Sequence, residues 1–181
     1  NYWLAGNHWL KSEPLYDNSG RGFIYLPPSA ILYIPLAILP FPFSEIIWRI
    51  LSLGIFSYGL FHFSTLVTEN NATKKITISL CFLLMTLITI PLAFSSARNG
   101  QMQLFMTGIL MLAIAHLSKG NWLKVTILLL FAFALKPTAI VLLLLVAGLF
   151  AKTRWRLFIG MIFLVFMGFL TQSPHYVISQ Y

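Results

Sequence analysis

The stretch FAFALKPTAIVLLLL, Phe131–Leu145, decides the fold, because this apolar run carries a Lys-Pro pair, Lys136-Pro137, near its centre. Proline has no backbone N–H and disfavours helical geometry in the residue before it, so a helix must end or kink near Lys136. A lysine at mid-bilayer depth costs about 2.5–3.5 kcal/mol on insertion scales, and such residues are usually paired, wetted or functional. The stretch is either one long helix burying a lysine or two short helices meeting at a polar turn.

Its surroundings set the solvent. The 181 residues are 59% hydrophobic and only 9% charged, with a mean hydropathy of +0.84. The apolar residues fall in long runs rather than in alternating or amphipathic patterns, which marks an integral membrane protein. The net charge of +8 sits in short loops between these runs, so it reads as positive-inside bias and not as a nucleic-acid surface. Cys81 stands alone in an apolar run, which leaves no disulfide and no thiolate metal cluster. The chain opens on Asn1 in a polar stretch without a signal-peptide pattern, and reads as a piece of a longer protein.

Residues 1–43 are expected to form an extracytoplasmic loop with a short juxtamembrane helix, and residues 44–181 the spans and short loops of one transmembrane domain. The segment before Gly22 offers Tyr2, Trp3, Trp9 and Tyr16, rings suited to a membrane–water interface. A helix over Pro28–Leu39 would be about 18 Å long, too short for a ~30 Å core, so a re-entrant or surface-lying element is expected. Spans are expected over Ser44–Val67, Ile76–Phe94, Gln101–Leu117 and Leu157–Thr171. Glu45 and Arg49 stand one turn apart near the start of the first, a spacing that permits an ion pair.

Loop charge arbitrates the Lys136 question. As one helix, Trp122–Phe150 would be roughly 43 Å long; as a hairpin it gives two segments of about 21 Å. In the hairpin, loops 68–75, 118–124 and 151–156 share a face holding Lys74, Lys75, Lys119, Lys124, Lys152, Arg154 and Arg156, seven cations. The other face holds Lys11, Arg21, Arg98 and Lys136, four. A single long helix moves loop 151–156 across and makes the count four against six. Only the hairpin obeys the positive-inside rule. It puts Lys136, Arg98 and the amino-terminal segment together on the extracytoplasmic side, where two cations beside helix ends suit an anion.

Each candidate has a plainer reading. In SSARNGQMQ (Ser95–Gln103), Gly100 allows a tight turn and the next helix offers unpaired N–H groups to a phosphate or sugar held by Arg98 and Gln101. On spacing alone an ordinary polar turn has the better claim. Lys136 serves equally well as a phosphate-binding point charge or as a lysine snorkelling to an interface. His8, His62, His116 and His175 lack metal-ligand spacing, and no metal site or cofactor is read here. The Asn71 sequon falls on the cytoplasmic side of this topology and is discounted. The acidic residues are Glu13, Asp17, Glu45 and Glu69, and none stands in a catalytic pattern.

Taken in order, several short elements resemble glycosyltransferase family 87. They are Tyr2 and Ala5, Leu15-Tyr16, Tyr25 with Pro27-Pro28, Pro35-Leu36, Gly100-Gln101, Lys136-Pro137 and Trp155-Arg156, and the likeness runs to about Arg156. The resemblance implies an all-α polytopic membrane helical bundle of the GT-C type, with a re-entrant or juxtamembrane amino-terminal segment. It implies a mannosyltransferase-like enzyme of the bacterial plasma membrane, its active site on the extracytoplasmic face. Such an enzyme takes a hexose from a polyprenyl-phosphate donor and passes it to a lipid or glycan acceptor. Lys136 and Arg98 are then expected to hold the donor phosphate, and Gln101 and Tyr25 to touch substrate. The catalytic acidic residue is expected upstream of Asn1; Asp17 does not occupy the family's catalytic slot. A transporter or flippase for a lipid-linked glycan or small anion is the alternative, since it too needs broken helices with a cation at the break. A structural membrane subunit is the third.

Overall fold

The computed structural model describes residues 2–16, 23–69 and 74–181, and every regular element among them is helical. Hydrocarbon offers backbone groups no hydrogen bonds, so an apolar chain must satisfy N–H and C=O internally, which selects helices. In chain order they are α1 (Tyr2–Lys11), α2 (Ser29–Leu32), α3 (Ile34–Ala37), α4 (Phe41–Val67) and α5 (Lys74–Arg98). There follow α6 (Met102–Ser118), α7 (Trp122–Leu135), α8 (Ile140–Leu149), α9 (Ala151–Phe166) and α10 (Pro174–Ser179). Phe41–Val67, Thr77–Arg98 and Ala151–Leu170 are long and apolar enough to cross a membrane, the last continuing from α9 through a 3₁₀ turn. Asp17, Arg21 and the Asn71 sequon lie outside the described residues.

The chain groups into two units, Asn1–Trp48 with Phe133–Tyr181, and Arg49–Ala132. In the second unit Phe56, Leu60 and Leu104 form a buried core, with Phe82, Met85, Ala93 and Met111 against it. The helices are apolar on nearly every side, and several of their hydroxyls bond their own backbone. Ser64 Oγ donates to Leu60 O at 2.9 Å, Thr86 Oγ1 to Phe82 O at 2.7 Å and Thr89 Oγ1 to Met85 O at 2.8 Å. The α4 and α6 backbones meet at Gly59 and Gly108, where a Cβ on Gly108 would lie 2.5 Å from Ile55 O. Small residues allow this approach, as they commonly do between membrane helices.

In the first unit α1 packs on α3 through Gly6, where a Cβ would lie 2.8 Å from both Ala37 Cβ and Tyr33 O. The helix expected over Pro28–Leu39 is two single turns, α2 and α3, divided at Tyr33. The cause is Pro35, whose missing N–H interrupts the ladder back to Ile31. At the other end of the unit, α8 turns back through Phe150 into α9. Buried Thr153 fixes this turn by donating to Phe150 O at 2.7 Å and Val146 O at 3.3 Å.

Candidate functional site

The helix through Lys136 does not run on. The α7 helix stops at Leu135, Lys136 is extended (φ −150°, ψ 117°), and Pro137–Ala139 make one 3₁₀ turn leading into α8. Ala139 N donates to Lys136 O at 3.1 Å, closing that turn. A broken helix leaves its last carbonyls without intrahelical donors, and burying them unpaired would cost free energy. Two hydroxyls from the amino-terminal segment take up the carbonyls before Lys136. Ser29 Oγ donates to Ala134 O, and Tyr33 Oη to Leu135 O at 3.5 Å. Ser29 and Tyr33 are 0% and 1% exposed, so these hydroxyls are withdrawn from solvent. Lys136 itself is half-buried.

Above the break lies an aromatic cluster. Tyr2 stacks on Tyr33 with centroids 5.0 Å apart and on Tyr25 at 6.0 Å, and it tilts against Trp48 at 5.6 Å. Phe23 sets its edge to Tyr25 and to Tyr33. The Tyr2 and Tyr25 hydroxyls are 3.4 Å apart and both residues are half-buried. Paired phenols on a half-open aromatic face can accept and donate toward a sugar while the rings cover its apolar side. Tyr16 Oη donates to Tyr25 O at 2.6 Å and fixes that residue's backbone. Burial first, then the Tyr181 and Tyr176 hydroxyls, raise the Tyr16 phenol to about 12, so it remains a donor at neutral pH.

The chain leading to this cluster is pinned by the carboxyl-terminal segment. Trp9 Nε1 donates to Thr171 Oγ1 at 3.1 Å, Ser12 Oγ to Gln172 Oε1 at 2.9 Å, and Gln172 Nε2 to Trp9 O. Tyr176 Oη donates to Glu13 O at 2.7 Å, and Leu15 N to Gln180 Oε1 at 2.9 Å. The Glu13 carboxylate lies 3.7 Å from His8 Nε2.

Lys136 and Tyr25 thus share the first unit, while Arg98 and Gln101 belong to the second. There Gly100 takes φ +60°, as its turn requires. Gln101 opens α6, but its Oε1 accepts from Ser96 Oγ at 3.3 Å, which satisfies the turn from within. Arg98 is exposed at the end of α5. A cleft of about 370 Å³ adjoins this turn, with Phe56, Leu92, Leu104 and Met111 as apolar walls and Ser96 and Gln103 among its polar atoms. Ser29, Tyr33 and Trp48 were not among the residues the sequence singled out. Their signal was present: a serine and a tyrosine one helical turn apart, directly after Pro27-Pro28, in an otherwise apolar run.

The profile of glycosyltransferase family 87 matches residues 23–179, from the aromatic cluster to the last turn of α10. The chain belongs to glycosyltransferase family 87. With three helices apolar and long enough to span among the described residues, this family member is an integral membrane glycosyltransferase. No curated protein and no solved structure matches the chain. The match reaches well past Arg156, where the sequence motifs stop, and takes in the 171–179 segment that grips α1.

Proposed function

We propose that this glycosyltransferase has the GT-C architecture and takes a hexose such as mannose from a polyprenyl-phosphate donor, with Lys136 as the donor-phosphate contact. The acceptor is a lipid or glycan, and transfer takes place on the extracytoplasmic face of a bacterial plasma membrane. An acidic residue upstream of Asn1 deprotonates the acceptor hydroxyl as it attacks the anomeric carbon. The Lys136 ammonium stabilises the negative charge that grows on the phosphate as it leaves. Tyr25 borders the sugar.

One observation carries the reading. The carboxyl ends of α7 and α8 both lie in the first unit, each with a basic residue nearby, and they are capped differently. At the carboxyl end of α8, Arg154 donates from Nε to Ala147 O at 2.9 Å and from Nη2 to Gly148 O at 2.8 Å. At the end of α7 the corresponding work falls to the neutral hydroxyls of Ser29 and Tyr33. At the break, the amino-terminal segment that caps α7 also carries the half-open Tyr2–Tyr25–Tyr33 face, and a lysine standing there supports an anion contact beside a sugar-binding surface.

The test is Lys136→Ala in the full-length enzyme, assayed with a prenyl-phosphate hexose. One charge-assisted phosphate contact is worth about 1.5–3 kcal/mol, so kcat/KM should fall by roughly one to two orders of magnitude. Lys136→Arg should recover part of it. Full transfer rates in the alanine variant, with an earlier melt, would reduce Lys136 to a turn residue.

A further inference from the structure

We propose that Ser29 and Tyr33 are positioning residues for Lys136, setting where its ammonium stands by holding the broken end of α7. The inference rests on the reading of Lys136 as the donor-phosphate contact. Neither residue touches the phosphate in this account, and both act through the backbone.

The placement of the break needs outside support. Pro137 cannot continue the α7 ladder, and Lys136 leaves it in an extended conformation. The carbonyls of Ala134 and Leu135, the last two residues of α7 before Lys136, then have no following turn of that helix to bond them. Ser29 and Tyr33 hold them from 105 and 102 residues away in sequence. Their own positions are rigid. Ser29 opens α2 directly after Pro27-Pro28, whose φ angles are locked, and it is fully buried. Tyr33 is the hinge between α2 and α3, with its ring between Tyr2 and the edge of Trp48. The amino-terminal segment thereby ties the aromatic face to the cation: whatever moves Tyr33 moves both. Misplacing a catalytic contact by about 1 Å can cost on the order of a hundredfold in rate, so a pair of hydrogen bonds at this point is enough to matter.

The experiment is a double-mutant cycle in the full-length enzyme in membranes. Ser29→Ala and Tyr33→Phe are made alone and in a Lys136→Ala background, and transfer from a prenyl-phosphate hexose is normalised to protein that elutes folded from size exclusion. Each single variant should lower kcat/KM by about tenfold in the native background and by less than about twofold where Lys136 is already gone. Tyr33→Phe keeps the ring and its stacking, so it stands as the second variant if Ser29→Ala folds poorly. The same factor in both backgrounds means an ordinary structural role and overturns the inference. Full activity of the single variants beside an impaired Lys136→Ala overturns it while sparing the phosphate reading. Full activity of Lys136→Ala itself overturns the phosphate reading and the inference with it.

Discussion

Gly54 and Gly59 lie five residues apart on α4, and replacing each by alanine should change stability in opposite directions. A Cβ at position 54 meets nothing within 4 Å. A Cβ at position 59 would fall on the carbonyl oxygen of Gly108 and within 2.9 Å of its Cα. Both obstacles are helical backbone, which cannot step aside locally, so α4 and α6 must separate by roughly 1 Å and lose much of their mutual dispersion contact. Overpacking of this kind costs about 1–3 kcal/mol, whereas alanine in place of a mid-helix glycine gains about 1 kcal/mol. At Gly54 only the gain applies. The two variants should therefore differ by about 1–3 kcal/mol, with Gly59→Ala below the native protein and Gly54→Ala at or above it. At about 2–4 °C per kcal/mol for a chain of this size, the gap in Tm is a few degrees to about 10 °C. Size-exclusion profiles of detergent-solubilised protein after graded heating measure it. Equal melting, or a Gly59→Ala variant that outlasts Gly54→Ala, would show that the two helices do not meet at Gly59 and Gly108.

Three further outcomes are expected. With Cys81 replaced by serine, a single cysteine at Asn121 or at exposed Ala151 should be shielded from an impermeant thiol reagent in intact cells, and one at Asn99 should be labelled; opposite labelling of 121 and 151 would defeat the hairpin topology. Gln172→Ala removes the contacts to Trp9 O and Ser12, which should cost about 1–3 kcal/mol; tryptic cleavage after exposed Lys11 should accelerate by about tenfold, and an unchanged rate would deny the clamp a role. The Tyr16 phenol is raised from its ordinary 10 to about 12, so its contribution to stability is complete below pH 10 and lost as pH rises toward 12. Tryptophan emission should report that alkaline step, and Tyr16→Phe should diminish it.

What the sequence makes legible here follows from how local each cause is. The break at Lys136 is written in one dipeptide, because proline acts on its own backbone and its neighbour's. Three of the four expected spans are legible because apolar length is a sum over adjacent residues, with α4 starting at Phe41 instead of Ser44 and α9 at Ala151 instead of Leu157. The fourth, expected over Gln101–Leu117, is the 17-residue α6, shorter than those three. The α1 helix is hard to read although Tyr2, Ala5, Gly6 and Trp9 have helical spacing, since aromatic and polar residues in that stretch also describe an interfacial loop. Ser29 and Tyr33 stand out as polar residues in an apolar run, but what they bond is not legible. Their function lies in carbonyls more than a hundred residues away, and no local pattern encodes a donor for a distant helix end. Thr153 reads as one residue of a basic loop, yet it is buried and fastens the α8–α9 turn.

The same reasoning gives the segment after Arg156 a structural role although no chemistry-bearing motif stands there. Thr171, Gln172, Tyr176 and Gln180 are ordinary polar residues in sequence, but each bonds the stretch from Trp9 to Leu15. All four contacts use a backbone group of the amino-terminal stretch or a donor that burial would otherwise leave unpaired. Trp9 is 1% exposed, and a Cβ added at Gly168 would lie 3.3 Å from its ring. Releasing that grip would free the carboxyl end of α1, whose other end presents Tyr2 to Tyr25 and Tyr33. Tyr33 in turn holds the carbonyl beside Lys136. The carboxyl-terminal segment thus reaches the candidate site through two intermediate elements without contributing an atom to it. Substitutions at Gln172 or Tyr176 should accordingly lower transfer activity in proportion to the loosening of α1, and a stabilising tether between α1 and α10 should restore both together.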